Sequence, residues 1–183
     1  MDVLHLEVTP WGVTDASMRE HQQERIRGER EDLIIFVEHP EVVTVGPRAR
    51  NEGQAPPPGY ATASTDRGGG LTWHGPGQLV VYPIVHWNLD GEANVAAVIH
   101  RLEGWVIAAL AELGIEAHRD DRMQGVWVDG RKVCSIGLSF LRWVSRHGLT
   151  VNLDTPAGRV EALAGCGLRP DTTTSLRALG HDV

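Results

Sequence analysis

Residues 67–84 read RGGGLTWHGPGQLVVYPI, and the fold turns on how this stretch is understood. Gly68, Gly69 and Gly70 run straight into Leu71-Thr72-Trp73, whose composition predicts a short strand. His74-Gly75-Pro76-Gly77 turns the chain, and Leu79 to Val85 predicts a second, largely buried strand. Three consecutive glycines cost backbone entropy and supply no packing, so an indifferent loop rarely uses them. They suit a place where backbone N–H groups approach a ligand closely. Arg67 before them and His74 after them bring a cation and an imidazole to the same mouth. The other reading is a β-hairpin with an elaborate turn, and the glycines alone do not choose between the two. Neither G-x-x-x-x-G-K-[ST] nor a helix-opening G-x-G-x-x-G is present, so neither nucleotide loop is indicated.

A chain of 183 residues is most simply one domain, residues 1–183, with room for a sizeable core. Its 42% hydrophobic and 22% charged content is that of a soluble globular protein. A net charge of −7 argues against general nucleic-acid binding, while leaving room for a local basic patch. Cys134 and Cys166 show no C-x-x-C or framework spacing, which favours a reducing cytoplasm. The start MDVLHLEVTPWG lacks the basic and apolar runs of a signal peptide, and no stretch is long enough to span a membrane. Without H-E-x-x-H or a Cys/His cluster, no metal is expected.

Along the chain, residues 2–9 predict a strand, and Thr14 or Asp15 is placed to cap a polar, mostly solvated helix from Ala16 to Arg27. Residues 32–38 predict a central strand, and 42–45 another. Residues 47–60, rich in proline and glycine, predict a loop. Asn94 is a cap for a helix running to Leu113 and stopped by Gly114, with Val95, Val98, Leu102, Trp105, Val106, Ala109, Leu110 and Leu113 as its core face. Val126–Val128, Asp129-Gly130 and Lys132–Leu141 read as a hairpin, because Asp-Gly favours a tight turn. A strand over 143–153, a short helix over 156–163, a loop at Gly165-Cys166-Gly167 and a last short helix from Thr174-Ser175 to Leu179 complete the chain. Strands, one long helix and more strands, without regular βαβ alternation, predict an α+β fold with a mixed, largely antiparallel sheet.

Two residues suit nucleophilic chemistry: Cys166 in AGCGLRP and Lys132 in GRKVCSIGL. A thiolate is the reactive form of cysteine, and a neighbouring ammonium lowers the thiol pKa. An inert loop thiol is the competing reading of Cys166. Cys134, inside a predicted strand, reads as packing.

The motifs resemble those of the lipoyl(octanoyl) transferases. The RGG, Thr, HGPGQL and YP of residues 67–83 match that family's signature, as do Glu38-His39-Pro40 and Thr44-Val45-Gly46 upstream. Lys132, Ser135, Ile136 and Gly137 match its K-x-x-[AS]-[IL]-G strand, and His147-Gly148-Leu149-Thr150-Val151-Asn152 its His-Gly-Leu segment. Cys166-Gly167 and Thr174-Ser175-Leu176 follow in the same order. Gly165 stands where the family usually has proline, and Thr150 where it usually has alanine.

The resemblance implies the fold of the biotin and lipoate protein ligase catalytic domain. It implies a cysteine-thioester octanoyltransferase with Cys166 as nucleophile and Lys132 stabilising the thiolate. Arg67, Gly68, Gly69, Gly70, Leu71, Thr72, Trp73 and His74 would form the substrate pocket, together with Ser135, Ile136, Gly137, Gly148, Leu149 and Thr150. Octanoyl–acyl carrier protein is the implied donor. The lipoyl domains of 2-oxoacid dehydrogenase E2 subunits and the glycine cleavage H protein are the implied acceptors. No cofactor and a monomer are expected. An ATP-dependent lipoate or biotin protein ligase is the rival, although adenylation has no use for Cys166. Arg131, Arg142 and Arg146 are candidates for a cationic rim that meets an acidic carrier.

Overall fold

The computed structural model describes residues 1–88, 91, 93–163 and 172–183. Its six-stranded sheet has the order β1-β2-β6-β9-β8-β7, with β1 Asp2–His5, β2 Leu33–Val37, β6 Gln78–Ile84, β7 Val126–Val128, β8 Arg131–Leu141 and β9 Val144–Asn152. Only β1 and β2 pair in parallel; the other ladders of this sheet are antiparallel. A smaller sheet, β4-β3-β5, is built from β3 Val42–Val45, β4 Thr62–Ser64 and β5 Leu71–His74. The fold is therefore α+β with a mixed, largely antiparallel sheet.

A parallel pair cannot be joined by a tight turn, and helix α1, Trp11–Arg27, provides the crossover from β1 to β2. It begins five residues before the predicted Ala16 and is preceded by Pro10, with no side-chain cap, so Thr14 and Asp15 lie inside its first turns. The reason is a stripe at near-heptad spacing: Trp11, Thr14, Met18 and Gln22 are its buried residues. Gln22 Nε2 donates to Val144 O at 2.8 Å, tying the helix to β9. Gly28 ends it in the left-handed region, as expected.

Helix α3, Val95–Glu112, covers the opposite face of the large sheet, and Asn94 Oδ1 accepts from Ala96 N and Ala97 N. Val98, Leu102, Val106 and Leu110 are buried as predicted, but Val95, Trp105, Ala109 and Leu113 are exposed. Glu103 is buried in their place, because it accepts from Gly125 N and Arg119 Nε, each at 2.9 Å. The strands between the helices obey a period of two. Leu33, Ile35, Val37, Val80, Tyr82 and Ile84 pack with Met18 of α1, and Ile34, Val81, Leu149 and Val151 join the core of α3.

Two local expectations change. Residues 47–60 contain helix α2, Pro47–Asn51, since Pro47 at the first helical position has its φ already set. Residues 62–64 form the unforeseen edge strand β4. Helix α4, Arg159–Ala162, falls within the predicted 156–163, and Arg177–Leu179 form a 3₁₀ turn whose Ala178 N donates to Ser175 Oγ. Among the described residues no helix is long and apolar enough to cross a membrane.

The chain passes from the small sheet to the large one at His74–Gln78, and Gly77 is its tightest point. Gly77 O accepts from Leu153 N and Asp154 N at 3.0 Å each, and φ is +77°. A Cβ there would run into the Asp154 backbone. Gly77→Ala should therefore destabilise the protein by more than about 2 kcal/mol, read from urea unfolding, since strained backbone and a backbone clash add.

Candidate active site

The two sheets meet along a cleft whose outer wall is the glycine run. Gly68, Gly69, Gly70, Leu71 and Thr72 face Lys132, Ser135, Ile136 and Thr173 across it, with Arg48, Met123 and Gln124 at its edge. Deeper in, Arg67, Thr72, His74, Ser135, Ile136, Gly137, Gly148, Leu149 and Thr150 line an inner recess with Trp11, Val80, Tyr82 and His147. The structure thus brings together fourteen of the sixteen residues named from sequence. Trp73 lines neither the cleft nor the inner recess but a side recess with Thr72, Ser135 and Thr150, where it packs with Val43, Val160 and Leu163 while Nε1 donates to Glu41 at 2.9 Å. Cys166 lies outside the described residues.

The glycine run is held by its carbonyls. Gly70 O accepts from Gly46 N at 3.0 Å, and Gly69 O from Arg48 N at 3.3 Å. Arg67 is buried, and its guanidinium donates to Gly68 O, Gly70 O, Thr44 O and Thr44 Oγ1 at 2.8–3.3 Å. Its charge lies at the mouth, but its fork is engaged in building the loop. Gly137 fits against Gly68 O, where a Cβ would lie at 2.8 Å.

Lys132 is 5% exposed, and its neighbours leave a channel for it. Gly125, at φ +130°, has no side chain where a Cβ would sit 2.6 Å from Lys132 Cε. The backbone of Lys132 donates from N to Thr172 O at 2.8 Å and accepts from Thr174 N at 2.9 Å. Leu163 and Thr173, on either side of the segment carrying Cys166, line one side recess with Leu71, Thr72, Ser135 and Thr150. Cys134, one turn of the pleat along from Lys132, is fully buried, and burial pushes its thiol up to about 12. It is packing, as the sequence suggests.

Three histidines are held neutral around the recess. Burial first, with the Arg67 charge adding to it, holds His74 well below its ordinary range. Burial also lowers His39, whose Nδ1–H donates to Thr9 O at 2.6 Å while Nε2 accepts from the Tyr82 hydroxyl at 2.8 Å. Burial lowers His147 despite Asp66, which takes its Nε2–H at 2.8 Å. Asp66 also binds Arg146, which is 4% exposed. Arg146 is therefore a buried cation paired with the exposed carboxylate of Asp66, and not the exposed rim charge its sequence neighbours suggest. Thr44, Asp66, Gln78, Trp11, Tyr82 and Asn152 are the site neighbours that the sequence reading missed. Thr44, Gln78, Tyr82 and Asn152 lie inside matched motifs and so carried a local signal; Trp11 and Asp66 did not.

Each histidine contributes in one direction. The unfolded imidazoles take up protons near pH 6.5 while the folded ones do not, so their stability is full above about 6.5 and drains away below it. Cys134 acts at the other end: its contribution falls as pH rises past about 8.5, where the unfolded thiol ionises first. Thermal melts across pH 5–10 should peak near neutrality; an unchanged midpoint from pH 7 to 5 would contradict this arrangement. Gly125→Ala should lower turnover at least tenfold by displacing Lys132, checked by steady-state kinetics.

Residues 10–183 match the model of the lipoyl protein ligase A/B catalytic domain. An octanoyltransferase of Rubrobacter xylanophilus is 37% identical, covering 100% of this chain and 86% of its own. One from Syntrophobacter fumaroxidans is 36% identical over 94% and 80% of the two chains, and one from Clavibacter sepedonicus 40% identical over 86% and 71%. Among solved structures, a lipoate-protein ligase A bound with ATP superposes with a TM-score of 0.71 at 13% identity, covering 100% of this chain and 78% of that one. The lipoate protein ligase of Thermoplasma acidophilum, described as bi-partite, gives 0.63 at 15% identity over 88% and 64%. At such identities these two structures speak for the fold alone.

Proposed function

The chain belongs to the lipoyl protein ligase A/B catalytic-domain family and is an octanoyltransferase of lipoate biosynthesis, and from that membership we propose how its cleft works. The observation that carries the reading is the placement of Lys132. It is a buried lysine facing the glycine run, and its backbone is bonded to Thr172 and Thr174, just beyond Cys166 in the chain. In this reading the Cys166 thiolate attacks the thioester carbonyl of octanoyl–acyl carrier protein. A tetrahedral intermediate collapses and the carrier's thiolate leaves, taking a proton. The target amine of a lipoyl domain then attacks the Cys166 thioester, an amide forms, and the Cys166 sulfur is released. Lys132 stabilises the two thiolates and helps move protons between the half-reactions.

The inner recess takes the octanoyl chain, because Val80, Ile136 and Leu149 give it apolar walls. The incoming thioester is already activated, so this chemistry needs neither ATP nor metal. Lipoyl domains of 2-oxoacid dehydrogenase E2 subunits and the glycine cleavage H protein are the acceptors in this reading, and the cytoplasm is its setting. The ATP-dependent ligase remains the comparison case on the same fold, separated from this chain by the presence of Cys166.

Cys166→Ser should abolish both octanoyl transfer and the acyl-enzyme seen by intact mass after mixing with octanoyl–acyl carrier protein. Cys134→Ala should retain both. Lys132→Met should lower transfer by about a hundredfold or more and slow alkylation of Cys166 at neutral pH. An octanoyl group mapped to Cys134, or normal turnover in the Cys166 variant, would overturn the mechanism.

A further inference from the structure

Behind the recess, a line of buried polar side chains crosses from the small sheet to the segment lying on Lys132. Its direction can be read one bond at a time. Asn152 Nδ2 donates to Thr174 O at 2.9 Å, so Asn152 Oδ1 is the acceptor facing Gln78 Nε2, also at 2.9 Å. Gln78 Nε2 gives its other hydrogen to Trp73 O at 3.0 Å, which leaves Gln78 Oε1 to accept from His74 Nδ1–H at 2.9 Å. His74 Nε2 then carries the lone pair and faces the Thr44 hydroxyl at 3.2 Å, which also donates to Thr72 O at 3.3 Å, and Thr44 Oγ1 accepts from Arg67. Each amide has one orientation that satisfies its neighbours, and the imidazole has one tautomer.

Gln78 and Asn152 stand directly opposite each other in the β6–β9 ladder, and both are nearly inaccessible. Beyond them Leu176 N donates to Asn152 O and Arg177 N to Leu153 O, each at 2.9 Å. The segment after Cys166 is therefore held on one side by Asn152 and on the other by Lys132, which forms a parallel bridge with Thr173. We infer that Gln78 and Asn152 are positioning residues: they fix residues 172–174 against Lys132 and lock His74 with its proton on Nδ1. They act by holding the chain that follows the nucleophile in register with the lysine, and by keeping the His74 proton on Nδ1, so that Nε2 faces the Thr44 hydroxyl.

The catalytic part rests on the octanoyltransfer reading; the ring assignment does not. Asn152→Ala removes the bond to Thr174 O but leaves Trp73 O to orient Gln78. It should lower kcat at least tenfold, with KM for octanoyl–acyl carrier protein within about twofold, and leave the His74 ¹⁵N signals in the Nδ1–H pattern. Gln78→Met, of similar volume, should lower kcat likewise and shift those signals to a mixture of tautomers. Kinetics are expressed per folded protein, with thermal melts recorded alongside. A kcat within twofold of wild type in both variants, or an Nε2–H tautomer in the wild type, would overturn the inference. Absence of transfer by the wild-type protein would instead remove the octanoyltransfer reading, with the ¹⁵N arm still deciding the chain of hydrogen bonds.

Discussion

The burial of one guanidinium governs this architecture. Taking Arg67 out of water costs several kcal/mol unless its donors are filled, and the acceptors that fill them are Thr44 and the carbonyls of Gly68 and Gly70. That requirement bends the glycine run back on itself and ties it to β3. It also explains why Gly46 lacks a side chain, since a Cβ there would collide with Gly69 O. The outer wall of the cleft is thus rigid because a charge inside it must be satisfied. From Thr44 the same polar continuity passes through His74 into the large sheet.

Most local structure was legible from local chemistry. Asp129-Gly130, with φ of +49° and +72°, makes the tight turn its residue types favour, and Asn94 caps α3 as its amide suggests. What escaped was set at long range. Arg142 and Trp143 adopt φ of +48° and +60° in the turn between β8 and β9, against the preference of bulky side chains. The eight-pair ladder from Cys134↔Val151 to Leu141↔Val144 imposes that geometry. Glu103 is interior while Trp105 is exposed because of Arg119 and Gly125, partners that no helical periodicity can announce.

The site shows the same division. The glycine run, Lys132 and the His147–Thr150 segment could be found because each is a compact motif. Asp66 beside His147, and Asn152 beside Gln78, lie 81 and 74 residues from their partners. Neither pairing leaves a spacing in the sequence. The apparent docking arginine at 146 illustrates the cost: its neighbours in sequence suggested a surface, and it is buried beneath the exposed Asp66. The fold shared with distant ligases belongs to this scaffold level, whereas the reaction depends on the few side chains the scaffold collects.

The strand order carries a consequence for assembly. Strands β1, β2 and β6 come from the first half of the chain and β7, β8 and β9 from the second, and the β6–β9 ladder is where the two halves of the large sheet join. Closing so long a loop precedes any reward from the contacts it makes, which slows folding. The β7–β8 and β8–β9 hairpins can form early from their own neighbours, whereas β2 meets β6 only across the intervening small sheet. The cavity, by contrast, lies over the joint itself, with Val80 and Thr150, paired in that ladder, both lining it. A nascent chain therefore holds both walls before it holds a site, and it becomes competent only when its two halves zip together.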